Sequence, residues 1–174
     1  MPNPKHFKKT AKEFLDEFVN SLNIGEFKGK FILKWLTPEL FRYIPDPDDP
    51  FRYLRKDGAG KLIETVTPLE MDTDGGSLPK LAQVMLNTSS WAYGPAYMVH
   101  DWEFAAHYRA QTDPDFKYKK TFNQVNLTLA EAIWTLMNKG YHKAKAKKDP
   151  SDVQNIYAGV MSPIGKHIWS KGSE

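Results

Sequence analysis

Tyr97-Met98-Val99-His100-Asp101-Trp102-Glu103-Phe104 decides how the rest of the chain must be arranged. On a helical wheel at about 100° per residue, with His100 at 0°, Tyr93 falls near 20°, Phe104 near 40°, Tyr97 near 60°, Tyr108 near 80° and Asp101 near 100°. Met98, Val99, Trp102 and Ala106 take the opposite side. A helix over residues 91–110, with Pro95 tolerated in its first turn, is therefore apolar nearly all round. Such a helix is buried, and other elements must cover it. Tyr97, Trp102, Phe104 and Ile133 are expected in the core.

On the C-terminal side, residues 128–139 read as a second helix. Thr128 is its expected N-cap, Glu131 completes a capping box and Gly140 follows its end. Residues 151–168 read as a third helix, interrupted or bent near Ser162-Pro163. On the N-terminal side the period changes. Phe31-Ile32-Leu33 and Phe41-Arg42-Tyr43-Ile44 read as short strands. Pro45-Asp46-Pro47-Asp48-Asp49-Pro50 excludes regular structure. Phe51 to Arg55 and Leu62 to Val66 flank Asp57-Gly58-Ala59-Gly60, a hairpin signal. From Thr67 to Asn87 the pattern loosens, and Asp72 to Pro79 is turn-forming throughout. At the start, Phe7, Ala11, Phe14, Leu15, Phe18, Val19 and Leu22 follow a helical stripe, with Thr10 and Glu13 as a capping box. The expectation is an α+β fold: an N-terminal helix, a small antiparallel β-sheet, then a three-helix half carrying the His-Asp helix. Residues 1–26 read as a helical arm and 27–174 as a single domain.

The chain has 174 residues, enough for one domain with a real core. Its 41% hydrophobic and 13% aromatic content excludes a disordered chain. There is no cysteine, which removes disulfides, thiolate zinc sites and cysteine nucleophiles together. No apolar run approaches the roughly 18 residues of a membrane span, and no secretory signal pattern opens the chain. The net charge is +3. Residues 139–174 hold 7 basic and 3 acidic side chains, a local +4, mostly in Lys139, Lys143, Lys145, Lys147 and Lys148. No aromatics interleave these lysines, so they read as a solvated helix end, and nucleic acid is not an expected partner.

An ionisable pair inside an apolar helix is costly unless it is partnered. His100 and Asp101 are therefore either satisfied structural groups or a site. Upstream, Asp74, Gly75, Gly76 and Ser77 form a glycine-bearing acidic loop whose backbone can approach a ligand closely. Tyr93, Tyr97 and Phe104 are the expected lining of the same strip. Glu131 has two readings, the third residue of a capping box or a carboxylate that orients a histidine ring. A zinc reading uses His100, Glu103 and His107 on one helical face, with no fourth ligand evident. Ser77 lacks the strand-turn-helix setting of a nucleophile.

Three motifs carry a resemblance. They are Pro68-Leu69-Glu70-Met71-Asp72-Thr73-Asp74-Gly75-Gly76-Ser77-Leu78-Pro79-Lys80, His100-Asp101-Trp102-Glu103-Phe104, and the helix Leu129 to Met137. In order and spacing they resemble the phage-associated family catalogued as domain of unknown function 1353, over roughly residues 27–170. Phe104 stands where that family has tyrosine, and Glu131 where it has aspartate. The resemblance implies a bacteriophage or prophage origin and no particular activity. It leads to the expectation of a virion or accessory protein, found in the host cytoplasm or the virion. Its expected partners are phage or host proteins, or a second copy of the chain.

The His-Asp helix is also similar to that of the secreted phospholipases of the A-two class. That likeness implies a calcium-dependent ester hydrolase acting on membrane lipid. His100 would be the general base, Asp101 a calcium ligand together with loop carbonyls, and Glu131 the carboxylate that holds the histidine. The loop would be Asp74 to Ser77, or Trp91-Ala92-Tyr93-Gly94. Neutral imidazole takes a proton from water near neutral pH, and a cation stabilises the developing oxyanion. The residues alone fix no cofactor.

Overall fold

A computed structural model describes residues 10–38, 40–73, 93–139 and 150–171. The first helix, α1 (Ala11–Ser21), starts where the capping box is expected. Glu13 N donates to Thr10 Oγ1 at 3.2 Å, and Thr10 N donates to Glu13 Oε2 at 2.7 Å. Val19 and Leu22 are buried, and the Phe18 ring lies 4.7 Å from that of Tyr157.

Two antiparallel sheets follow where the pattern suggests one. Strands β1 (Glu26–Lys28), β4 (Arg52–Lys56) and β5 (Leu62–Val66) form a sheet in the order β1-β4-β5. Strands β2 (Leu33–Thr37), β3 (Leu40–Tyr43) and β6 (Met71–Thr73) form another in the order β2-β3-β6. The β4–β5 hairpin is the one expected. Asp57 Oδ1 accepts from Ala59 N and Lys61 N, and Gly60 supplies the positive φ of 80°. Strands β1 and β6 were not legible: each has 3 residues, too short to show alternation. Asp72 and Thr73 thus lie in a strand rather than a turn. Phe31 and Ile32 precede β2 instead of forming a strand, although Ile32 O still accepts from Ile44 N at 3.1 Å. Gly25, just ahead of β1, sits where a Cβ would be 2.5 Å from Leu54 O, so the chain can enter beside β4 only without a side chain.

The helical half begins with α2 (Gly94–Thr112), with proline in its first turn as expected. Helix α3 (Phe122–Asn138) is a turn and a half longer than its expected span. Its N-cap is Thr121, not Thr128, and the capping box is closed by Gln124 rather than Glu131. Thr128 is buried two turns into the helix and donates to Gln124 O at 2.9 Å. The C-terminal segment breaks as expected into α4 (Pro150–Val160) and α5 (Pro163–Lys171).

The architecture is α+β, and the sheets and helices share one core. Tyr43, Phe51, Tyr53 and Val66 from the strand region meet Tyr97, Met98 and Val99 of α2, Leu129, Ile133 and Leu136 of α3, and Val153 and Ile156 of α4. Tyr97 and Ile133 are buried as expected, whereas Trp102 and Phe104 are only partly so. No helix among the described residues is long and apolar enough to cross a membrane.

Candidate functional site

Asp101 and His100 lie on two flanks of the aromatic strip on α2. On one flank the Asp101 carboxylate accepts from Thr73 Oγ1 at 2.7 Å. Thr73 is buried at the end of β6, so this bond fixes the sheet β2-β3-β6 to α2. Tyr97 packs edge-on to Tyr93 with ring centroids 6.3 Å apart, and Tyr93 OH donates to Asp152 Oδ2 at 3.0 Å. Burial pushes the Tyr97 phenol pKa up, and the nearby Asp152 and Asp101 carboxylates add to that. Its hydroxyl is buried with no partner among the described residues.

On the other flank His100 meets Asn126 of α3, with Nε2 and Oδ1 2.9 Å apart. The Asn126 amide nitrogen donates to Met161 Sδ at 3.3 Å, which turns its oxygen toward the ring. Nε2 of His100 therefore carries the proton, and Nδ1 keeps the lone pair. Burial lowers the His100 pKa to about 4, with the Asn126 hydrogen bond opposing in part, so the ring is neutral at neutral pH. Phe104 packs against the ring at 4.6 Å between centroids.

Glu131 does not join them. It is buried on α3, and its oxygens are taken by Asn23 Nδ2 at 3.0 Å and Arg55 Nε at 2.5 Å. The orienting partner of His100 is thus a neutral amide in place of the expected carboxylate. Physically, Asn126 and Glu131 lie five residues apart, about 140° around the helix, so one side of α3 cannot present both to α2. Asp74, Gly75, Gly76 and Ser77 lie outside the described residues, as do Trp91, Ala92, Lys143, Lys145, Lys147 and Lys148.

The zinc reading separates as well. His107 stacks on Trp169 at 3.7 Å, and its Nε2 lies 2.8 Å from Gln111 Nε2, while Glu103 faces Lys120. Among the described residues no group of three His, Asp or Glu side chains is placed to hold a metal ion.

A second polar cluster was missed. Glu103, 1% exposed, is ion-paired to Lys120. Lys120 also binds Glu64 at 2.7 Å and donates to Thr128 Oγ1 at 3.2 Å. Glu64 in turn lies 3.8 Å from Arg55, the partner of Glu131. Burial raises the Glu103 pKa to about 7 against the pull of Lys120. Glu103 Oε2 and Tyr118 OH are buried without partners among the described residues. The signal for this cluster was a second acid, Glu103, two residues after Asp101 on an apolar helix, which required a base somewhere else in the chain. Nothing in the sequence singled out Lys120 from its neighbours.

A scan against protein-family models, a search of curated proteins and a search of solved structures each give no match.

Proposed function

We propose that the chain is a bacteriophage or prophage accessory or structural protein that works through protein contacts, with its His-Asp pair serving the fold. The observation that carries this reading is the placement of Glu131. A general base is strongest when a carboxylate stabilises the imidazolium that forms, and the carboxylate intended for that role is spent on Arg55 and Asn23. His100 is left with a neutral amide and a pKa far below the range of an efficient base at neutral pH. The sequence resemblance supports the phage assignment and, with it, a place in the host cytoplasm or the virion. Exposed apolar side chains support partners that are proteins of phage or host, or a second copy. Trp35 lies on edge strand β2, and Leu62 and Ile63 lie on edge strand β5.

A second reading, a calcium-dependent ester hydrolase, is favoured by one contact. The Thr73–Asp101 hydrogen bond brings the residue directly before the Asp74–Ser77 loop onto the expected calcium ligand. Thermal melting of the parent, His100→Gln and Asp101→Asn, with and without calcium and alongside a panel of esters, separates the two. The structural reading expects no calcium effect on the parent and a lower melting temperature in both variants. An unpartnered buried group costs roughly 1–3 kcal/mol. Ester turnover that depends on calcium and vanishes in a folded His100→Gln variant would overturn it.

A further inference from the structure

We infer that residues 161–171 form a C-terminal strap that closes over His100 and detaches from the body without global unfolding. The argument begins with what holds α5. None of its residues is buried, and Ile164 is 55% exposed. An element with so little buried apolar surface opens at a far lower free energy than the core it lies on. Among the described residues its attachment is concentrated at two points.

The first is an elbow. Met161 N donates to Tyr157 O at 2.9 Å, Ser162 N donates to Gly159 O at 3.2 Å, and Gly165 N donates to Ser162 Oγ at 3.3 Å. Gly165 passes so near Val160 O that a Cβ there would sit at 2.0 Å. The turn is therefore tight and ties the start of α5 to α4. The second is a latch near the far end. Trp169 stacks in parallel on His107 and meets Phe104 edge-on at 4.9 Å and Phe122 at 5.9 Å. Tyr108 OH donates to Ile168 O at 2.5 Å.

Both points bear on His100. At the elbow, the Met161 sulfur accepts from Asn126, the hydrogen-bond partner of the imidazole. At the latch, Trp169 covers Phe104, the ring that packs against the imidazole. Lifting the strap from its latch thus uncovers a strip formed by His107, Phe104 and Phe122 and loosens the packing around His100. This holds whether His100 acts chemically or structurally, so it does not depend on the reading above.

Native-state hydrogen exchange on the full chain, at increasing denaturant, tests the strap directly. The α5 amides are expected to exchange through an opening with little denaturant dependence, well before those of α3. Carbethoxylation of His100 by diethylpyrocarbonate, followed by peptide mass spectrometry, tests what the strap covers. In Trp169→Ala the α5 exchange and the His100 modification rate are both expected to rise about tenfold while α3 protection is retained. Tyr108→Phe, a milder loss at the latch, is expected to move both in the same direction. Exchange of α5 with the same denaturant dependence as α3 would overturn detachment. Faster α5 exchange with an unchanged His100 rate would overturn the placement of the strap over His100.

Discussion

Burial acts with opposite sign on two residues of α2. Glu103 is raised from 4.5 to about 7, so between those values the folded state holds a proton that the unfolded chain has lost. Stability from this group is fully present below about pH 4.5 and declines as pH rises to about 7. His100 is lowered from 6.5 to about 4, so in that window the unfolded chain holds a proton that the folded state lacks. Stability from His100 is present above about pH 6.5 and is lost as pH falls to about 4. Each contributes a slope of about 1.4 kcal/mol per pH unit, and over the shared window the two cancel. Glu103→Gln removes the falling limb alone. Urea unfolding across pH 4–8 should therefore show the variant gaining stability on the parent as pH rises from about 4.5 to about 7. Parallel profiles for the two proteins would mean that Glu103 titrates alike in the folded and unfolded states. The sequence placed His100 on an apolar helix and so exposed the problem its burial poses, whereas Glu103 was read only as a candidate zinc ligand. It could not show the solutions, because Asn126 and Lys120 come from other segments.

The start of α3 shows why an element can be recognised and yet be misplaced. Two segments of the same form stand seven residues apart, Thr121-Phe122-Asn123-Gln124 and Thr128-Leu129-Ala130-Glu131. Both satisfy the capping-box pattern, and the second directly precedes the strongest apolar run. The structure uses the first and turns the second inward, where Thr128 serves Lys120 and Glu131 serves Arg55. Polar residues at Asn123, Gln124 and Asn126 hid the first turns of the helix from a hydrophobic-period reading. The assignment has a direct consequence. Thr121→Ala should lower stability by about 1 kcal/mol, because the Gln124 amide loses its acceptor. Helical circular dichroism with chemical denaturation measures this loss. An unchanged midpoint would show that the cap is replaced by water at no cost.

At the scale of the molecule, the cluster around Arg55 joins parts of the chain that no local pattern connects. Arg55 belongs to β4, Glu131 to α3 and Asn23 to the link between α1 and β1. Gly25 N donates to Thr135 Oγ1 at 2.8 Å one turn further along α3, and Tyr53 OH lies 3.1 Å from the same hydroxyl. The division into an N-terminal helix, strands and a helical half was legible because the hydrophobic period changes between them. The contacts that lock the parts together were not, since an ion pair 76 residues apart in sequence leaves no periodic trace. Arg55→Met leaves the Glu131 carboxylate, 2% exposed, without its cation. Breaking a buried pair from one side costs about 3–5 kcal/mol, most of it the desolvation of the charge left behind. The double variant Arg55→Met with Glu131→Leu removes both charges and fills much of the same volume with apolar atoms. It should recover most of that loss, because desolvation and attraction nearly offset each other in a buried pair. Urea denaturation of the parent, both single variants and the double variant closes the thermodynamic cycle. Strictly additive costs would show that Arg55 and Glu131 contribute independently, and the joint between sheet and helix would then rest on Thr135 and the apolar core.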